Sequence, residues 1–148
     1  MSREQLHSLL FECQTYMSLH RSEGYGLTLA EAMSLGKPVI TTGYSGNMDF
    51  MDEKNAILVP YDLVAVGPDA FPYPEDSRWA QPNIEFAAKA MRELYEDESL
   101  RIRIGDQART DVAAEFTMER AAEFTRSRID YLMKKNFSQK LFDLIRRR

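Results

Sequence analysis

The sequence is poor in the residues that form cross-links and metal sites. Cys13 is the only cysteine in 148 residues, and there are two histidines. A single cysteine excludes an internal disulfide and fits a reducing, cytoplasmic compartment. Neither histidine stands at a metal-ligand spacing from an acid or from Cys13, so no metal site is predicted. Cys13 itself is expected to be a small buried side chain.

Long apolar runs are missing as well. No run approaches the roughly 18 residues that a membrane-spanning helix needs. Residues 1–12 mix charged and polar side chains, so a secretory signal peptide is not predicted either. What is present, 44% hydrophobic and 28% charged residues, is typical of one globular domain in the cytoplasm.

Charge is divided unevenly along the chain. Residues 1–125 hold 11 basic and 21 acidic side chains, whereas residues 126–148 hold 8 basic and 2 acidic ones. The acidic body argues against nucleic-acid binding. The basic tail has two interpretations: a solvated helix that ends in an arginine cluster, or peripheral contact with the anionic inner face of a membrane. We therefore predict a domain of residues 1–125 and a basic helical tail of residues 126–148.

The first 60 residues alternate between helix and strand patterns. Ser2 and Gln5 form a capping box, as do Thr28 and Glu31, and Gly36 supplies a left-handed helix stop. The predicted helices cover residues 3–11 and 28–35, and the predicted strands cover residues 13–19, 38–42 and 55–60. Strands that alternate with helices through short loops indicate an α/β fold, a Rossmann-like parallel sheet with flanking helices.

The rest of the chain contains no further predicted strand. Residues 61–83 carry four prolines without a clear period, and are predicted to be a long aromatic insert loop. Three helices follow, over residues 84–96, 99–114 and 117–135, with one or two amphipathic turns in residues 137–148. Since such sheets usually have five or six strands, the domain is expected to be incomplete, lacking its first strands, as a fragment or a stand-alone remnant.

Two acids bracket the stretch EGYGLTLAE, which runs from Glu23 to Glu31. Gly24 and Gly26 allow a ligand to approach the backbone closely, and the free amides of the following helix start suit a phosphate. Glu31 has apolar neighbours and therefore needs a polar partner, such as ribose hydroxyls. The alternative is purely structural, with Glu31 in a capping box and Glu23 on a polar loop.

Within its context, SEGYGLTLAEAMSLGKPVITT, this stretch resembles the E-x7-E signature of group 1 retaining glycosyltransferases with the GT-B fold. The segments GYSGNMDFM and NAILVP continue the resemblance, which extends over residues 2–131. It implies the C-terminal, nucleotide-sugar-binding half of a two-domain enzyme, whose substrate is a nucleotide diphosphate sugar and which needs no metal or other cofactor. The insert is similar to one in a bacterial subset linked to surface-polysaccharide assembly.

The resemblance also implies roles for individual residues. Glu23 would be the catalytic-site acid, on a hydroxyl of the transferred sugar, and Glu31 would bind the ribose. The backbone between the two acids would bind the diphosphate and the sugar, and four more residues are cleft candidates. The donor-binding residues are Gly24, Tyr25, Gly26, Leu27, Thr28 and Glu31, and the cleft candidates are His20, Arg21, Gly46 and Asn47.

Two departures from the family pattern limit this expectation. No Arg–Lys pair that could clamp a diphosphate precedes Glu23, and the N-terminal acceptor domain is absent. The isolated chain is therefore expected to be inactive, and a non-catalytic nucleotide-sugar-binding or partner-docking module is the alternative. In the insert, Tyr73 and Trp79 either anchor the loop to the domain or shape the donor pocket.

Overall fold

The computed structural model describes residues 2–146, with side chains described for residue 2 and residues 4–135. The chain divides into two compact units, residues 1–113 and residues 114–148. The elements are α1 (Arg3–Glu12), β1 (Tyr16–Ser18), α2 (Leu27–Ser34), β2 (Val39–Thr42), a 3₁₀ helix (Gly46–Asp49), β3 (Ile57–Val59), β4 (Tyr61–Ala65), β5 (Arg78–Pro82), α3 (Ile84–Glu96), α4 (Glu98–Glu115) and α5 (Met118–Arg146).

The first unit is built on a parallel sheet of three strands in the order β1–β2–β3. Tyr16 of β1 lies opposite Val39 of β2, and Ile40 of β2 lies opposite Ile57 of β3. All four residues of β2 are buried, which suits the β-branched sequence VITT in the central strand of a parallel sheet. The predicted α/β class, with a small parallel sheet and flanking helices, is confirmed.

Each face of the sheet carries its own hydrophobic core, because successive residues of β2 point to opposite faces. Val39 packs in a cluster with residues of α1, α2 and α4, such as Leu29 and Met33. Ile40 packs in a second cluster with residues of α3 and α4, such as Leu94. Helices therefore cover both faces, and the edges of the sheet are left for loops.

Three helix ends agree with the sequence. Ser2 and Gln5 form the predicted capping box at α1. Gly36, with φ 70°, follows α2 in the left-handed conformation. The side chain of Thr117 accepts a hydrogen bond from Arg120 N at 3.1 Å and caps α5. The helices predicted over residues 84–96 and 99–114 are confirmed to within one residue at each end. The third begins one residue after its predicted start, but it continues to Arg146 instead of ending at residue 135.

The start of α2 corrects a prediction. The capping box predicted for Thr28 and Glu31 is wrong, because α2 begins at Leu27 and Gly26 occupies the N-cap position. Ala30 N donates to Gly26 O at 2.9 Å, so the first turn closes two residues earlier than expected. The physical reason is the left-handed φ of Gly26, 94°, which turns the chain into the helix without a side-chain cap.

Residues 61–82 also correct a prediction, since they form an antiparallel hairpin of β4 and β5 and not an irregular loop. We call this segment the aromatic hairpin. Asn83 N donates to Pro60 O at 2.8 Å and closes its base. Three of the prolines that suggested a loop lie in the turn, residues 66–77, and Pro82 is the last residue of β5, where a missing amide is tolerated.

The second unit consists mainly of α5. The predicted boundary at residue 125 falls inside this helix. The backbone is helical through Arg146, but the side chains beyond residue 135, which include most of the basic tail, lie outside the described residues. Within the described part of the chain, no helix combines the length and apolar character needed to cross a membrane.

Candidate functional site

The predicted site residues lie at the carboxyl edge of the parallel sheet. The signature loop, residues 20–26, connects β1 to α2, and a second loop, residues 43–49, follows β2. The aromatic hairpin follows β3. In open parallel sheets, ligands bind at this edge, where loops from neighbouring strands meet.

Helix α2 begins at this edge with an uncapped N-terminus. Its N-cap residue is Gly26, which has no side chain to cap the first turn. The amides of residues 27–29 have no acceptor within the helix, and the helix dipole adds a partial positive charge. Thr28 is exposed, and Leu27 is 66% exposed. This end of α2 is therefore a ready site for an anion.

Glu23 is half-buried, and its backbone is held by the loop after β2. Its carbonyl oxygen accepts hydrogen bonds from Ser45 Oγ at 2.8 Å and from Gly46 N at 3.0 Å. Its Oε1 lies 3.4 Å from Tyr25 N, within the same loop. The Glu23 carboxylate consequently faces the exposed glycine-containing backbone that leads to α2.

Two cleft candidates, Gly46 and Asn47, lie in the loop after β2, which packs against the signature loop. The Gly46 amide is engaged by Glu23. Asn47 is fully buried, and its Nδ2 donates to Thr42 O at 3.2 Å. The Oδ1 of Asn47 and the Oγ1 of Thr42 are buried with no partner among the described atoms. Buried polar atoms of this kind usually have a water or another partner. The signature loop therefore packs against a group of buried polar side chains, Thr42 and Asn47.

Tyr25 and Gly24 form the outer part of the signature loop. The Tyr25 ring packs on Phe50, with centroids 5.5 Å apart, and the residue is 42% exposed. Gly24 is exposed, with open space where a Cβ atom would lie. Gly26, in contrast, is buried against Leu29. The loop thus presents backbone and one aromatic edge to solvent.

Glu31 and His20 lie on either side of the signature loop, His20 at its start and Glu31 on α2. Glu31 is half-buried at the fifth position of α2, so it lies about 6 Å along the helix axis from Leu27, the first helical residue. His20 Nε2 lies 3.0 Å from Tyr44 O, so this nitrogen carries the hydrogen. Its Nδ1 then faces the hydroxyls of Ser18 at 3.4 Å and Thr41 at 3.5 Å. His20 therefore links the ends of β1 and β2.

Residues 1–64 match the model of the glycosyl transferases group 1 family. Over these residues the chain is similar to a group 1 glycosyltransferase domain, and the match includes α2 and both bracketing acids. This match confirms the resemblance to group 1 glycosyltransferases at a coarse level for residues 1–64. The resemblance noted in the sequence extended further, over residues 2–131. No curated protein sequence matches the chain significantly.

A solved structure supports the fold. The sucrose-phosphate synthase from Thermosynechococcus elongatus superposes with a TM-score of 0.64 at 21% sequence identity. The alignment covers 91% of this chain and 29% of the synthase. The fold is thus a partial GT-B-like domain, and the chain spans less than a third of the length of the synthase that it matches.

Beyond the residues that match the glycosyltransferase model, the aromatic hairpin contacts the signature loop. Ala80 N donates to Arg21 O at 2.8 Å. The Arg21 guanidinium carbon lies 4.7 Å from the centroid of the Trp79 ring, and Tyr73 packs against Trp79 edge-on at 6.1 Å. The predicted anchoring role of Trp79 and Tyr73 thus agrees with their contacts, and Arg21 is engaged by the hairpin.

Sequence reasoning missed the contribution of two residues in GYSGN. Ser45 Oγ donates a hydrogen bond to the Glu23 carbonyl, and the φ of Ser45, 80°, is unusual for a non-glycine residue. Tyr44 contacts both His20 and the ring of Tyr61 in the hairpin, with ring centroids 5.0 Å apart. Only the turn-rich composition signalled this loop.

Other candidates gain no support. No cluster of three or more metal-ligating side chains exists among the described residues. Cys13 was predicted to be buried, but it is only half-buried. His7 is exposed on α1.

Proposed function

We propose that this chain is the donor-binding part of a retaining glycosyltransferase that transfers a sugar from a nucleotide diphosphate sugar to an acceptor. The observation that carries the proposal is the uncapped N-terminus of α2, bracketed by Glu23 and Glu31 at the carboxyl edge of the sheet. The family match over residues 1–64 supports it.

Each part of the bracket has a distinct chemical role. The amides at the start of α2 bind the diphosphate, because free N–H groups and the helix dipole both favour an anion. Glu31, about 6 Å further along α2, accepts hydrogen bonds from the ribose. Glu23, on the opposite side of Gly24, accepts a hydrogen bond from a hydroxyl of the transferred sugar.

Catalysis would come from positioning and electrostatics. The anion site stabilises the diphosphate as it departs with the bonding electron pair, and Glu23 orients the sugar. The chain spans 29% of the synthase that it resembles, and the residues assigned above bind the donor and not an acceptor. We therefore propose that the isolated chain binds a donor but does not transfer its sugar.

Two charge-neutralising substitutions test the roles of the acids. Calorimetry with UDP, GDP, UDP-glucose and GDP-mannose should show that Glu31→Gln weakens a nucleotide and its sugar conjugate alike, by about tenfold, since both contain ribose. Glu23→Gln should weaken the sugar nucleotide by a similar factor and leave the free diphosphate unchanged, because only the sugar reaches Glu23.

Glu93→Gln, an exposed position on α3, is the matched control and should bind like the wild type. Equal effects of Glu23→Gln and Glu31→Gln on every ligand would contradict the assignment. If none of the four ligands binds the wild-type chain, the donor-binding proposal itself is wrong.

A non-catalytic module is the second candidate function, favoured because α2 and both bracketing acids lie within one compact unit, residues 1–113. Such a module would bind a nucleotide sugar or dock on a partner transferase. Tight donor binding without turnover, even when an acceptor-binding half is added, supports the module. Activity restored by mixing supports a divided enzyme, and transfer by this chain alone contradicts both.

A further inference from the structure

The aromatic hairpin and the signature loop meet at Arg21, two residues before Glu23. Most of the hairpin lies outside the matched residues 1–64. Its edge strand β5 nevertheless donates an amide, Ala80 N, to the carbonyl of Arg21 at 2.8 Å. The loop is therefore tied to an element that lies mostly beyond the matched residues.

The backbone around Glu23 is held at two carbonyls. The hairpin holds the carbonyl of Arg21, and the loop after β2 holds the carbonyl of Glu23 through Ser45 Oγ at 2.8 Å and Gly46 N at 3.0 Å. These two carbonyls flank the backbone torsions of Ser22 and Glu23. Fixing both restricts the direction in which the Glu23 side chain leaves the backbone.

Side chains reinforce the first of these tethers. The Arg21 guanidinium lies over the face of Trp79, at 4.7 Å from the ring centroid, in the geometry of a cation–π contact. Tyr73 packs edge-on against the same indole, with ring centroids 6.1 Å apart. Trp79 is half-buried, whereas Arg21 is exposed, so without the indole little else would hold the Arg21 side chain.

We propose that Trp79 is a positioning residue for the donor site: through Arg21 it fixes the signature loop, and so the orientation of Glu23 towards the donor sugar. This inference rests on the proposed donor-binding function. A preorganised loop pays less conformational entropy when the ligand binds, and therefore binds it more tightly.

Amide hydrogen exchange measured by NMR tests the proposal without any ligand. Gly46 N reports on the tether at Glu23 and does not contact Trp79. Replacing Trp79→Ala should accelerate exchange at Gly46 about two- to fivefold, the factor expected for a partly exposed cation–π contact. Trp79→Phe, which keeps a ring face, should restore most of the protection. Tyr95→Ala, an 81% exposed aromatic on α3, is the matched control.

Calorimetry with UDP-glucose and GDP-mannose on the same variants adds the functional arm. We expect Trp79→Ala to weaken the bound sugar nucleotide by a similar two- to fivefold factor, with Trp79→Phe between it and the wild type. Trp79→Leu keeps apolar bulk without a ring face, and serves if the alanine variant does not fold. It should behave like Trp79→Ala.

The outcomes separate this inference from the proposed function. Faster Gly46 exchange in Trp79→Leu, with no sugar-nucleotide binding by the wild type, supports loop positioning and contradicts donor binding. Donor binding by the wild type, with unchanged Gly46 exchange and unchanged affinity in Trp79→Leu, overturns the positioning role and leaves the proposed function intact.

Discussion

Gly46 lies where the loop after β2 crosses the signature loop. A Cβ atom at this position would overlap the carbonyl group of Gly24 and approach Cα of Tyr25 to 3.0 Å. This close passage brings Gly46 N within hydrogen-bond distance of Glu23 O. A single hydrogen atom as a side chain thus decides how near the two loops can lie.

Gly46→Ala should therefore destabilise the protein. The added methyl group has to push the backbone of Gly24 away, and we expect a loss of about 1–3 kcal/mol in the free energy of unfolding. Urea denaturation followed by circular dichroism measures it. Gly24→Ala is the control, since nothing lies within 4 Å of its Cβ position, and its stability should change by less than about 0.5 kcal/mol. Equal midpoints for the two variants would contradict this explanation.

At this scale the sequence predicted which residues gather but not how they are held. Glu23, the glycines, Gly46 and Asn47 do come together at one edge of the sheet, because tight loops between parallel strands leave them no other place. The tether from Ser45 depends on a positive φ at a serine. Local preference argues against that conformation, so only tertiary contacts could reveal it.

Among the elements, α4 and the turn after α2 approach each other most closely at glycines. A Cβ atom on Gly105 of α4 would overlap the carbonyl group of Gly36 and lie 3.4 Å from Pro38 Cδ. Gly105 is buried, although glycine weakens a helix interior. The contact lets α4 pack directly against the chain that leads into β2.

Gly105→Ala gives a test in which the sign of the effect is informative. Helix propensity alone predicts a gain of about 1 kcal/mol in the free energy of unfolding. The overlap with Gly36 predicts a net loss of about 1–3 kcal/mol. Thermal and urea denaturation decide between them, with Arg103→Ala, at an exposed position of the same helix, expected to be nearly neutral. A stabilised Gly105→Ala protein would show that α4 can move away at little cost.

Elements with a strong local pattern were predictable, and those defined by tertiary pairing were not. The β-branched run of β2 predicts a strand, and the capping box before α1 predicts a helix start. The aromatic hairpin was hidden because β4 is largely exposed and shows no clean alternation of buried and exposed residues, while the turn of the hairpin is rich in proline. The start of α2 was misplaced because Thr28 and Glu31 imitate a capping box, whereas Gly26 turns the chain.

On the scale of the whole molecule, charge is distributed unevenly between the acidic body and the basic C-terminal tail. Residues 126–148 hold 8 basic and 2 acidic side chains on a chain whose net charge is −4. Clusters of basic side chains are attracted electrostatically to anionic lipid headgroups. We therefore propose that the basic tail contacts the anionic inner face of the membrane.

Co-sedimentation with phosphatidylserine-containing vesicles tests this proposal. Replacing Arg146, Arg147 and Arg148 by serine should lower the vesicle affinity about 100-fold, at about 1 kcal/mol per cation. The control removes three exposed cations from the body, in the triple variant Lys89→Ser, Arg92→Ser and Arg103→Ser. If both triple variants sediment alike, or if neutral vesicles bind as well as anionic ones, the tail is not a membrane contact.

Trp79 is the only tryptophan of the chain, and its ring contacts the guanidinium of Arg21, the second residue of the signature loop. Indole emission from this protein therefore originates at one position, and that position adjoins the proposed donor site. The emission wavelength and its quenching by iodide or acrylamide follow the local polarity around a single ring. The molecule thus carries an intrinsic optical reporter of its own loop, which needs neither a dye nor an added cysteine.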